Sequence, residues 1–304
     1  MVIFMQARIT SVGLVVQPDP AELFVYPDHI DRASLDALPS RPGIYIFRDE
    51  ENRPLYIGKS VNIRSRVLSH LRTPEEARML RQSRRVDFCR TAGEIGALLL
   101  ESRLIKDLQP LHNKKLRRTR EMCSLRLAAG PRGAVPEVVY AREHDFAATE
   151  GLYGLFATRR AALERLRAVV DEQGLCPALA GLESATRGRA CFARQIGRCR
   201  GACVGAESPQ EHEARLRTAL DELRVIAWPY PGAMGIVEES EGWRQTHVID
   251  RWFYLGSFDE GAAAPAMRLK PSFDVDTYQI LLRPMLRGEL RLVPVRLPRT
   301  VRKR

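Results

Sequence analysis

The sequence predicts an α+β chain: a small antiparallel sheet flanked by helices, then a Cys-rich helical segment, then a small β-rich C-terminal domain. Three observations carry this. Two alternating runs, GIYIFR at 43–48 and PLYIG at 54–58, flank the turn-forming Asp49-Glu50-Glu51-Asn52 and read as an antiparallel hairpin. Residues 94–108 form a strongly helical run stopped by Pro110. Cys176, Cys191, Cys199 and Cys203 sit together in a Gly/Arg-rich stretch of low hydrophobicity.

In chain order, residues 1–39 form an N-terminal extension with two strand-like runs and a helix from Asp31 to Leu38, ended by Pro39 and Pro42. Its start, MVIFMQARITSVGLVV, is interrupted by Gln6 and Arg8 and lacks a basic leader, so it reads as strand and not as signal peptide. Residues 40–118 form the first module. After the hairpin, Ser60 is the expected N-cap of a helix to Leu71, and Thr73-Pro74 starts a second. A third strand spans 86–91 and the long helix follows. Residues 119–175 carry strand-like runs (SLRLA, VVYA, LYGLFA) and a helix over 159–172. Residues 176–227 hold the cysteines and a helix from Ser208 to Ile226. Trp228-Pro229-Tyr230-Pro231-Gly232 marks a boundary, and 228–304 read as the β-rich unit, with its aromatics in the core.

Charge narrows the function. The net charge is +11, and residues 41–120 hold 19 Lys/Arg against 9 Asp/Glu, so nearly all the excess is local. A polyanion is the expected partner of that segment. No run of about 18 apolar residues exists, so no spanning helix and no membrane role are expected. Six cysteines are too few for a disulfide scaffold, and the expected compartment is the reducing cytoplasm.

Within this basic segment, a hairpin turning near residue 50 sets Tyr45 and Tyr56 opposite each other on one face, with glycines beside both. On a helix continuing from the second strand, Lys59, Asn62, Arg66 and His70 fall within a sector of about 80°, a face suited to a phosphate and its developing charge or else an ordinary solvated face. Ile63, Val67 and Leu71 line another. Glu101 has Ala97, Leu98, Leu104 and Ile105 as helical neighbours, so its carboxylate lies on or beside the apolar stripe. A charge there needs a compensating cation, either a divalent metal or a basic residue such as Arg66. Arg103 and Lys106 point elsewhere on the wheel.

The cysteines follow C-x14-C-x7-C-x3-C, which suits tetrahedral zinc or an iron–sulfur cluster; four unligated thiols remain the plain alternative. Arg187, Arg189, Arg194, Arg198 and Arg200 crowd them, as phosphate contacts or as solubilising charge. Cys89 and Cys123 read as singles, and His29, His112, His144, His212 and His247 as structural or surface residues.

GIY, eight residues upstream of PLYIGKS, then NIRSRVLSH and LLLESRLIKDLQPLHNKKL, resembles the GIY-YIG endonucleases. Within them the chain is similar to the UvrC-like excinucleases, and more so to their shorter Cho type, through ACF, RC, AC and WFYLG. The resemblance implies a metal-dependent endonuclease of nucleotide excision repair, cutting damaged double-stranded DNA once, on the 3′ side, with UvrB as partner and UvrA upstream. No second, RNase H-like nuclease and no helix-hairpin-helix repeat is seen. It implies that Tyr45, Tyr56, Lys59, Arg66, His70, Glu101 and Asn113 form the catalytic set, with His70 where UvrC proteins tend to carry tyrosine. Glu101 would hold Mg2+ or Mn2+, and the four cysteines an iron–sulfur cluster more than zinc. Lys59, Arg64, Arg66, Lys114, Lys115, Arg117 and Arg118 are the expected DNA contacts.

Overall fold

The computed structural model describes residues 26–113, 122–184, 189–264 and 272–297. The chain opens with α1 (Arg32–Asp36), whose first N–H groups are bound by the Asp31 carboxylate. Then follow β1 (Gly43–Arg48), β2 (Pro54–Ser60), α2 (Ile63–Leu71), α3 (Ala77–Gln82), β3 (Arg85–Arg90) and α4 (Glu94–Leu108). The strands form an antiparallel sheet ordered β2-β1-β3. Strand β1 is central and buried on both faces, which is why GIYIF is apolar throughout. Tyr45 and Phe47 pack with Ile63, Val67, Leu71, Met79 and Leu80, towards α2 and α3. Ile44, Ile46 and Ile57 pack with Ile105 of α4 on the other face.

Two local expectations need correction. Tyr45 pairs with Gly58 and Tyr56 with Phe47, so the tyrosines are diagonal neighbours. The turn is centred beyond residue 50: Asp49 binds the N–H groups of Glu51 and Arg53, and Asn52 adopts φ +64°. A bulge then sets Phe47–Arg48 against three residues of β2, with Leu55 as the extra one. Helix α2 starts at Ile63, capped by Asn62 onto Ser65 N–H, because Ser60 completes β2 and uses its hydroxyl on Asn62. Lys59 therefore belongs to a strand, and the expected helical sector reduces to Arg66 and His70.

The middle sheet is ordered β5-β4-β6 and comprises β4 (Cys123–Gly130), β5 (Gly133–Tyr140) and β6 (Leu152–Phe156). Helices α5 (Arg159–Glu172), short α6 (Phe192–Gln195) and α7 (Pro209–Asp221) follow. Thr158 caps α5, and Ser208 with Glu211 forms a capping box on α7. Helix α7 ends before Ile226 because Leu223 and Val225 leave it to bond β6 residues Gly154 and Leu152.

The C-terminal sheet, ordered β10-β7-β8-β9, is built from β7 (Met234–Ser240), β8 (Trp243–Asp250), β9 (Phe253–Asp259) and, after α8 (Val275–Leu286), β10 (Leu292–Pro294). Helix α8, unforeseen in the sequence, brings Tyr278 and Leu281 into a core with Trp252, Tyr254, Ile249 and Leu99 of α4. Arg103 and Lys106 of α4 point to this unit: Arg103 donates to Leu255 O at 2.9 Å, and Lys106 pairs with Asp274 at 2.7 Å and Asp276 at 2.5 Å. Helix α4 is thus enclosed by two sheets. Among the described residues no helix is long and apolar enough to cross a membrane.

Candidate active site

Tyr45 sits mid-strand in β1 with 1% of its surface exposed. Its ring crosses over Gly58, where a Cβ would lie 2.3 Å from the phenol oxygen, so that position must lack a side chain. The hydroxyl is 2.6 Å from His70 Nε2, and His70 Nδ1 in turn meets the Glu76 carboxylate. Both contacts are satisfied together when Nδ1–H donates to Glu76 and Nε2 accepts from Tyr45. His70 also packs against Tyr45, Phe47 and Tyr56, with ring centroids 5.3, 5.7 and 5.5 Å away. Burial holds its pKa below the usual histidine value, against the pull of Glu76.

Tyr56 is the more exposed tyrosine, its ring centroid 6.2 Å from that of Tyr45. Burial raises both phenols; Tyr45 is raised further by Tyr56, and Tyr56 by Glu101, while Arg66 opposes both shifts. Arg66, exposed on α2 one turn before His70, reaches the Tyr45 phenol and stays firmly charged. Arg64 instead turns back to α1, donating to Asp36 O at 3.2 Å.

Glu101 comes from the opposite face of the sheet. One carboxylate oxygen accepts from Lys59 N–H at 3.1 Å, and among the described residues the other has no partner. The carboxyl pKa is raised by burial, with Lys59 opposing. The Lys59 ammonium pairs with Glu94 in the first turn of α4, at 2.5 Å. Arg66 is not the counter-charge of Glu101 among the described ion pairs.

Asn113 has a different use from the rest. Its side-chain oxygen accepts from Ile57 N–H at 2.8 Å and its amide donates to Ile57 O at 2.7 Å, so it closes the free edge of β2 between Tyr56 and Gly58. Lys114, Lys115, Arg117 and Arg118 lie outside the described residues, as does Arg187. Glu76 and Glu94 were missed. Glu76 lies beyond a helix end and a Pro-initiated turn, and Glu94 on a separate element, so neither has a spacing that links it to its partner.

The second constellation is the cysteine set. The sulfurs of Cys176, Cys191, Cys199 and Cys203 all lie within 4.8 Å of one another, and three of the residues are buried. Backbone N–H groups already address the sulfur atoms: Cys191 N–H donates to Cys203 and Gly201 N–H to Cys199 Sγ. His212 is buried and accepts from Cys176 N–H at 3.0 Å, which accounts for it structurally. Burial pushes the Cys176 thiol up to about 11. Arg194 donates to Cys199 O and so braces this loop, while Phe192 and Ile196 beside it are exposed.

A three-stranded sheet with paired tyrosines and a glutamate from its far-side helix is the mark of a GIY-YIG nuclease, and residues 41–114 match the UvrC-like GIY-YIG domain. Residues 122–222 match the UvrC/Cho excinuclease middle domain, and 233–299 the excinuclease Cho C-terminal domain. The chain is 52% identical over 286 residues to an excinuclease Cho of Escherichia coli O157:H7, covering 93% of this chain and 95% of that one; the protein of strain K12 is equally similar. It belongs to the excinuclease Cho family. The UvrABC system protein C of Haloarcula marismortui is 30% identical over 78% of this chain and 46% of its own length. A crystal structure of the GIY-YIG N-terminal endonuclease domain of UvrC from Thermotoga maritima, bound to its catalytic divalent cation magnesium, is 31% identical over 27% of this chain and 93% of that one, with a TM-score of 0.25.

Proposed function

We propose that this nuclease hydrolyses one phosphodiester of damaged double-stranded DNA in nucleotide excision repair, on the 3′ side of the lesion, within a complex prepared by UvrA and UvrB. The cut side and the partners rest on the family likeness. The chemistry rests on one observation: Arg66 of α2 acts on both the Tyr45 and Tyr56 phenols on one face of the small sheet, while Glu101 of α4 accepts from Lys59 N–H near the end of β2.

Tyr56, the more exposed of the two phenols, takes the proton of the attacking water in its phenolate form. Tyr45 and His70 stand behind it, and Glu76 fixes the His70 tautomer that accepts from Tyr45. Arg66 favours the phenolates and binds the scissile phosphate, and Lys59 at the end of β2 supplies a second cation. Glu101 fits a hard divalent cation: it offers a carboxylate with one oxygen held by Lys59 N–H and the other, among the described residues, without a protein partner. Mg2+ or Mn2+ held there would supply neutralisation of the charge developing on the phosphate and the leaving oxygen. Asn113 keeps β2, and with it Tyr56, in place.

The four cysteines would hold an iron–sulfur cluster, as the family likeness implies. Zinc is the second reading, favoured by compactness: a tetrahedral site with bonds of about 2.3 Å sets its sulfurs about 3.8 Å apart, close to the 4.0 Å between Cys176 and Cys191. Brown protein absorbing near the visible edge after anaerobic purification supports iron; colourless protein with one equivalent of zinc supports the other.

The deciding test is incision of a defined lesion duplex, with and without UvrA and UvrB, comparing wild type with Glu101→Ala. Partner-dependent nicking that Glu101→Ala abolishes, with DNA binding kept, is expected. Nicking of undamaged DNA at a fixed sequence without partners would replace this reading, and a wild type that never nicks would make the chain an adaptor.

A further inference from the structure

We propose that the C-terminal unit supplies the N-terminal cap of α4, making Glu238 a positioning residue for the nuclease site. This rests on the reading of Lys59 and Glu101 as site residues.

A helix leaves its first N–H groups without partners, and a side chain at the N-cap position normally answers them. Helix α4 has Gly93 there, which has no side chain to offer. The partners come instead from β7, some 140 residues later. The Glu238 carboxylate accepts from Ile95 N–H at 3.0 Å and from Gly96 N–H at 2.8 Å. Its charge also suits the positive end of the helix dipole.

Glu238 is held in turn. His247, fully buried on β8, lies 2.9 Å from it through Nε2 and 2.6 Å from Ser257 through Nδ1, and Ser257 meets the Tyr254 hydroxyl at 2.6 Å. Two glycines make room for this insertion. A Cβ at Gly93 would lie 2.3 Å from Glu238 Oε1, and one at Gly96 would lie 2.3 Å from His247 Cε1. Gly93 is in extended backbone that any residue adopts, so it is space, and not conformation, that demands glycine.

The capped turn is the one that carries Glu94, the partner of Lys59 Nζ. Glu101, which takes Lys59 N–H, lies about 10 Å further along the same helix at 1.5 Å rise per residue. Both grips on Lys59 therefore depend on the placement of α4. Fraying its first turn releases Glu94 directly and lets Glu101 shift.

The test uses the full chain with Glu238→Ala, Gly93→Asp and the two combined. Mn2+ binding without DNA is followed by electron paramagnetic resonance, and nicking is followed against Mg2+ concentration. Glu238→Ala should weaken Mn2+ binding and raise the half-saturating Mg2+ about 10-fold, the scale of a lost supporting contact around a metal. Gly93→Asp alone, forced against Glu238, should do likewise. The double variant, in which the introduced aspartate caps α4 in place of the missing carboxylate, should return to within about twofold of wild type.

A Glu238→Ala protein that binds Mn2+ normally, or is merely less folded with an unchanged half-saturating Mg2+, overturns the proposal. So does a double variant no better than Glu238→Ala. Thermal melting of the same four proteins reads the cap independently of chemistry. A rescued melt in a chain whose wild type never nicks would leave the cap standing and fail only the nuclease-site reading.

Discussion

Replacing Gly58 by alanine probes the site with one methyl group. Gly58 faces Tyr45 across the β1–β2 ladder, and its backbone lies outside the left-handed region, so alanine is conformationally acceptable. The difficulty is space. The new Cβ would stand 2.3 Å from Tyr45 Oη, 2.4 Å from Cζ and 3.0 Å from Cε2, so the ring has to move by about an ångström to restore contact. It cannot swing outward freely, being 1% exposed and bonded to His70 at 2.6 Å. Overpacking of this kind costs about 1–3 kcal/mol of stability. Misplacing by about 1 Å a group that backs the reacting phenol, as Tyr45 backs Tyr56, costs on the order of 100-fold in rate. The methyl removes no cation, and Arg66 keeps its charge when the Tyr45 phenol beside it shifts, so duplex affinity should stay within about twofold. Single-turnover nicking of a lesion duplex, with melting and binding measured on the same preparation, checks all three. Gly58→Ala protein that nicks at the wild-type rate would refute the reasoning, because Tyr45 would then tolerate displacement.

His70→Phe keeps the ring packing but removes the acceptor of the Tyr45 proton; nicking should fall by about 100-fold or more, and stability in the melt should drop by about 1–3 kcal/mol, the cost of an unpaired buried hydroxyl. Because burial holds the His70 pKa below its usual value, the imidazole is neutral at working pH; activity should be lost as pH falls through that lowered pKa, and a pH–rate profile of wild type against Glu76→Gln should show the acid limb shift. Asn113→Ala strips both Ile57 hydrogen bonds from the edge of β2 and should cost about 1–3 kcal/mol by denaturant melting. With the Cys176 thiol raised by burial, metal loading must displace protons, so affinity at the four cysteines should tighten as pH rises in a chelator competition.

What the sequence carried and what it did not divide along a physical line. The strands, the helix at 94–108 and the burial of Ile63, Val67 and Leu71 are periodic features, and periodicity is local. The tyrosines and Glu101 were legible because a polar or aromatic residue in an apolar setting contradicts its surroundings. The register of the hairpin was not legible, because a bulge at Leu55 and a turn held by Asp49 shift the pairing with no change in the alternation before it. Lys59 was placed on a helix because Ser60 is as good a cap as Asn62, and only the length of β2 decides between them. Glu76 and Glu238 were invisible for a third reason. Each matters through one partner on another element, and a single pairing across a turn or across 140 residues leaves no pattern.

The local excess of positive charge changes meaning for the same reason. Read along the chain, it surrounds an active site and awaits phosphates. In the folded protein much of it is already engaged: Arg48 with Asp87, Arg53 with Asp49 and Glu51, and Lys59 with Glu94. Arg41 and Lys106 cross to the C-terminal unit, meeting Glu241, Asp274 and Asp276. Lys106 is mostly buried in its pair, so giving it to a phosphate would strand two carboxylates, a cost that exposed pairs do not impose. Net charge therefore overstates how many phosphates the module can bind. Part of the basicity is spent joining the nuclease module to the C-terminal unit, and the buried share of it, Lys106, sits on the helix that carries Glu101.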